Sequence, residues 1–184
     1  MRSCRSAAFA AVAASAALAA ALAFAAAPGR AAASPSFAHW AERSLVVSDR
    51  TGDPGWQQAT RQAVDTWNAV GADVRLSWTE GGIGCEPEGP IIPVCRDLLP
   101  AGWRGAAALH SAPDGHLGGA RIRFDADRTF TQAQKDNLAC HEIGHALGLG
   151  HSGSSASCLT QGSETAAPDA ADAASLRASY AHAG

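Results

Sequence analysis

Residues 140–152 read C-H-E-I-G-H-A-L-G-L-G-H-S. On a helix, His141 and His145 stand four residues apart, which puts both imidazoles on one face with about 6 Å of rise between them. That spacing can hold one metal ion. Glu142 follows the first histidine, so its carboxylate can approach a metal-activated water without being a ligand. Gly148 can end the helix, because glycine reaches the left-handed conformation without steric cost, and the chain can then bring His151 back as a third nitrogen ligand. Three neutral histidines leave the fourth position of a tetrahedral zinc open, the arrangement of catalytic rather than structural sites. The chemistry this predicts is hydrolysis. Zinc lowers the pKa of water to near 7 and polarises a carbonyl, and Glu142 as general base takes the proton from the water and delivers it to a leaving amine. The pattern H-E-x-x-H-x-x-G-x-x-H fixes five positions, so a chance match needs about three million random windows at equal residue frequencies.

The string from His141 to His151 resembles that of the metzincin zinc endopeptidases. Ser152 after the third histidine makes it similar to the matrixin (matrix metalloproteinase) branch in particular. The resemblance is strong over Ala120–Ser152, weaker through the C-terminal helix and architectural before that. It implies an α+β fold, a metzincin-like mixed twisted sheet with a long zinc-binding helix and a C-terminal helix. It also implies one catalytic Zn2+, an extended protein or peptide as substrate, and an edge strand at Ala120–Phe124, after Gly118 and Gly119, that pairs with the substrate. The pocket for the side chain after the scissile bond is expected near His141 and along Thr160–Pro168.

Departures from the family pattern shape further expectations. The methionine that metzincins place in a tight turn below the zinc corresponds to Leu159 within Ser157–Gly162, and Met1 is the only methionine in the chain. Leucine for methionine roughly conserves volume, so the expected cost is under about 1.5 kcal/mol. The turn has no tyrosine to act as a ligand. The structural zinc and calcium ions of matrixins have a partial counterpart in His110, Asp114 and His116, and in Asp125 and Asp127, which could hold Ca2+. The bland reading of those two aspartates is turn chemistry after a strand.

The elements that must position these residues can be read in outline. Ser44–Asp49 reads as a strand, and Trp56, Ala59, Ala63, Val64, Trp67 and Val70 fall at helical spacing before Gly71, with both tryptophans as core. Val74–Trp78 alternates like a half-buried strand. Gly81–Gly102 reads as a long surface loop, and further strands are expected at Gly105–His110 and Ala120–Asp125. Thr131 and Gln134 form a capping-box pattern that starts the zinc-binding helix, which runs to about Gly148. A last helix is expected over Asp169–His182, with Leu176 and Tyr180 on one face.

Of the 184 residues 47% are hydrophobic, but 44 are alanine and 18 of those lie in the first 33. Arg2 and Arg5 precede an uncharged run, Ala7–Ala27, and small residues before Pro28 and before Ser34 allow cleavage after 27 or after 33. Residues 1–33 therefore read as a signal peptide and 34–184 as a single catalytic domain, secreted to the extracellular side. The alanine-rich run is weak as a membrane anchor. Loss of Arg2, Arg5 and Arg30 takes the formal charge from −3 to −6, which disfavours nucleic acid and a stable membrane partner. The expected state is a monomer. At most 16 residues separate either cleavage position from Ser44. None is cysteine, so the thiol-on-zinc latency of matrixins is not expected.

Cys85, Cys95, Cys140 and Cys158 remain after export and suggest two disulfides with three possible pairings. Cys85 with Cys95 and Cys140 with Cys158 are favoured, the first closing a Gly/Pro-rich loop and the second bracketing the histidines. No C-x-x-C spacing points to a zinc ribbon. The alternative to a secreted endopeptidase is a secreted zinc-containing binding or inhibitor module without turnover, for which Leu159 and the expected lack of a pro-domain are the only support.

Overall fold

The computed structural model describes residues 39–181. The leader at 1–33 with its cleavage positions, the first residues of the catalytic domain and His182 lie outside the described residues. The elements in chain order are β1 (Ser44–Asp49), α1 (Pro54–Ala69), β2 (Arg75–Glu80), β3 (Ile91–Asp97), β4 (Gly105–Ser111), β5 (Leu117–Asp125), α2 (Gln132–Ala146) and α3 (Ala170–Tyr180). The strands form one five-stranded sheet in the order β2-β1-β3-β5-β4. Only β4 runs antiparallel to its neighbour. The architecture is the expected α+β mixed sheet, with α1 and α2 packed on each other and against the strands.

Local sequence explains both long helices. Asp53 caps α1 by accepting from Gly55 N and Trp56 N, with Pro54 in the first turn, where its missing N–H costs nothing. The stripe Trp56, Ala59, Thr60, Ala63, Val64 and Trp67 is buried. The capping box at Thr131 and Gln134 forms as expected. Trp56 stacks on Phe124 of β5 at 3.8 Å between ring centroids, and Trp67 Nε1 donates to Cys140 O at 2.9 Å, which ties α1 directly to the helix that carries the histidines.

The last carbonyls of a helix have no partner within it. In α2 they are met by aromatic side chains: Trp40 Nε1 donates to Ala146 O at 2.7 Å, and Tyr180 Oη of α3 donates to Leu147 O at 3.1 Å. Leu176 and Tyr180 are both buried, as their shared face predicts. Gly148 then turns the chain with φ 94°.

Two sequence expectations are corrected. Gly81–Gly102 is not one surface loop, because it contains β3, which lies at the centre of the sheet. Ile92, Val94 and Cys95 are buried. A strand covered on both faces shows a continuous apolar run rather than alternation, and Pro93 further disguised this one. Pro93 is tolerated where it stands, one residue before the register with β5 begins at Val94.

The second correction concerns the sheet edge. Ala120–Phe124 lies in β5, which has β3 on one side and β4 on the other, so it is not an edge strand. The edge is β4. The alternation of β5 suggested a half-exposed strand, but Arg121 and Arg123 fold back into ion pairs with Glu86 and Asp97. In β4 the small residues Ala106–Ala108 gave a weak strand signal.

Candidate metal centre

The structure brings His141, His145 and His151 together, with one candidate ligand atom from each lying within 4.8 Å of the others. His141 and His145 come from one face of α2, and His151 from the turn after Gly148. The ring of His141 sits edge-on to that of His145 at 4.5 Å between centroids, and the His151 ring lies 5.2 and 4.8 Å from the two.

Hydrogen bonds fix two of these rings. His141 Nδ1 faces Cys158 O at 2.7 Å and His145 Nδ1 faces Leu149 O at 2.8 Å. A carbonyl oxygen only accepts, so each Nδ1 carries the proton and each Nε2 is left with a lone pair. Those two Nε2 atoms face each other at 2.9 Å. Lone pairs so placed repel unless a cation or a shared proton lies against both.

Burial, with His145 and His151 beside it, pushes His141 down to about 4, and burial also lowers His145. Both imidazoles are therefore neutral at pH 7 and able to coordinate. The donor set, three imidazole nitrogens with two tautomers fixed by main-chain carbonyls, suits zinc.

Glu142 is buried beneath the start of β4. Burial pushes its carboxyl up to about 8, opposed by the N–H of Ala107. A Cβ at Gly105 would stand 2.7 Å from Glu142 Oε1, so glycine at that point gives the carboxylate its room.

The cleft over these residues has a volume of about 620 Å³. One wall is the β4 side, from Gly102 to Leu109, and another is Thr160–Gly162, the beginning of the stretch expected to line a substrate pocket. Sequence reasoning missed Trp103, which lines the cleft and is 55% exposed, and also Asn137, Leu138 and Leu149. An aromatic residue in a short G-W-R-G stretch just before a strand was the available signal for the first.

Leu159 is buried beneath α2 at the turn where it was expected, against Gly144. The disulfides are Cys85–Cys95 and Cys140–Cys158, the two pairings favoured from the sequence.

The residues considered for further ions are not gathered into a ligand group. Among the described residues, the histidines at 141, 145 and 151 form the one group of at least three His, Cys, Asp or Glu within reach of a common ion. His116 pairs with Asp114 and packs edge-on to His39, while His110 is exposed on β4. Asp125 accepts from Asp127 N and Arg128 Nε, the turn chemistry expected after a strand.

A mixed sheet backed by a helix that carries two of three clustered histidines frames the cleft. Residues 99–180 match the family model for matrixin, so the resemblance read from the motif holds over that segment. Two solved structures of myroilysin are also similar. One is 20% identical with a TM-score of 0.40, covering 61% of this chain and 44% of that one, and the other is 20% identical with a TM-score of 0.38, covering 67% and 52%. The chain thus spans about half the length of those structures. No curated protein matches the sequence.

Proposed function

We propose that the chain is a secreted zinc endopeptidase that hydrolyses peptide bonds in proteins. The observation that carries this reading is the pair of Nε2 lone pairs facing each other at 2.9 Å, with His151 beside them and Glu142 next in sequence to His141. His141, His145 and His151 would hold the ion. When bound, zinc supplies Lewis acidity that lowers the pKa of water to near 7 and polarises a carbonyl, and its charge opposes the burial that favours protonated Glu142.

The chain's own residues do the rest. Glu142 accepts the proton from the attacking water and returns it to the leaving nitrogen, so that one water and one peptide bond become a carboxylic acid and an amine, which then ionise to a carboxylate and an ammonium group. The free edge of β4 offers main-chain donors and acceptors to an extended substrate, the general mode of strand addition. Thr160–Gly162 and Trp103 flank the cleft in which that substrate would lie.

Export is supported by the leader pattern and by the two disulfides. Among the described residues no helix is long and apolar enough to cross a membrane.

The test is Glu142→Ala. That variant is expected to bind zinc as the parent does and to cleave a casein-like substrate about 10²–10⁴-fold more slowly, the usual contribution of a general base. Undiminished cleavage would overturn the mechanism. Zinc binding by the parent with no turnover across a broad peptide library would instead make the protein a zinc-containing binding or inhibitor module.

A further inference from the structure

The chain from 147 to 169 contains no helix or strand, yet it must hold His151 and the turn that faces His141. Irregular chain is ordinarily a poor platform for a metal ligand, because a loop holds geometry less strictly than a helix. The Cys140–Cys158 disulfide stands where this problem would be solved. Cys140 immediately precedes His141 on α2. Cys158 supplies the carbonyl that accepts from His141 Nδ1 at 2.7 Å. Both cysteines are fully buried, so the cross-link lies inside the packed base of the site rather than on its surface.

From Cys158 the turn reaches the third ligand as well. Ser152, next to His151, donates its N–H to Leu159 O at 3.1 Å, and its own carbonyl accepts from Thr160 Oγ1 at 2.9 Å. Thr160 Oγ1 also reaches Ser154 O at 2.6 Å. The three consecutive residues 158–160 therefore contact both the ring of His141 and the segment that carries His151. On its far side the turn is braced by Ser157, which accepts from Leu159 N and donates to Asp172 of α3. These contacts are hydrogen bonds, which a mobile loop can exchange for water. The disulfide is the covalent link between the turn and the helix.

We propose that Cys140–Cys158 is a positioning device of the metal centre. It fixes the Cys158 carbonyl against His141 and, through Leu159 and Thr160, sets where His151 can stand, so that metal affinity depends on the cystine. The inference rests on the metal-binding reading above. It separates the two disulfides by role, because Cys85–Cys95 joins the loop after β2 to β3, with the Cys95 sulfur 3.7 Å from Gly84 O of that loop.

The experiment compares zinc affinity, by competition with a chromophoric chelator, in the parent, in Cys140→Ala/Cys158→Ala and in Cys85→Ala/Cys95→Ala. Alanine is used because a buried serine hydroxyl would introduce its own cost. Removing a group that orients a metal ligand weakens metal binding about 10–100-fold. That loss is expected for the first double variant and not for the second, although each loses thermal stability. The visible spectrum of the Co2+-loaded protein should change only in the first, which a general loss of stability would not produce below the melting transition.

Equal zinc affinity in the parent and in Cys140→Ala/Cys158→Ala overturns the proposal while leaving the metal reading intact. Absence of zinc binding by the parent overturns the metal reading itself. Should that double variant fail to fold, Thr160→Val decides. It keeps the cystine but removes the hydroxyl that holds Ser152, and it should bind zinc roughly tenfold more weakly. Parent-like affinity in Thr160→Val then overturns the proposal.

Discussion

A methyl group at position 144 would stand 2.6 Å from Trp67 Cζ2 and 2.7 Å from Leu159 Cδ2. Both neighbours are buried, and the indole is held by its bond to Cys140 O, so neither can move aside cheaply. Overpacking costs about 1–3 kcal/mol, against which alanine in a helix regains at most about 1 kcal/mol over glycine. Gly144→Ala should therefore lower the denaturant midpoint, by about 1–2 kcal/mol in stability. An unchanged midpoint would show that the indole yields. Leu159→Ala leaves a hole in the same place and should cost about 2–5 kcal/mol, read in the same titration. The volume argument for leucine in place of methionine was legible in the sequence. The need for glycine at 144 was not, since it arises from two partners that lie far from it in the chain.

Among the elements, what was legible is what local chemistry decides. The capping box at Thr131, the apolar stripe of α1 and the shared face of Leu176 and Tyr180 all depend on residues within a few positions of each other. The place of β3 and the identity of the edge strand depend on strand order, which no local pattern encodes.

One clasp between elements yields a pH test. Asp53 accepts from Lys135 Nζ at 2.7 Å, joining the start of α1 to α2, and also caps α1. The Lys135 bond, helped by Trp56 N and Gly55 N, holds the Asp53 carboxyl below its ordinary value of 3.8. A carboxyl lowered in the folded state stabilises fully above its unfolded pKa, and that contribution is lost as pH falls through the folded value. Asp53→Ala should cost about 1 kcal/mol at pH 7. The gap in melting temperature between variant and parent should then shrink below pH 3.8. A gap that stays constant down to pH 3 would mean that the clasp works without ionisation.

For the whole molecule, the core is built from groups other than the clustered histidines. Trp40, Trp56, Trp67, Phe124, Ile143 and Tyr180 are buried by packing between the sheet and the helices, and Tyr180 and Trp40 close the end of α2 without help from the histidines. Chelation should therefore lower the melting temperature, by a margin that grows with the zinc concentration of the untreated sample, while the far-ultraviolet circular dichroism stays that of a folded α+β protein. Collapse of that spectrum on chelation would show a fold that depends on metal.

The groups that set the tautomers of His141 and His145 are the main-chain carbonyls of Cys158 and Leu149. Every amino acid supplies that carbonyl, so no single substitution can delete either one. For the two tautomers alone, selection therefore falls on the path of the loop rather than on residue identity, while the side chain of Cys158 is held separately by its cystine.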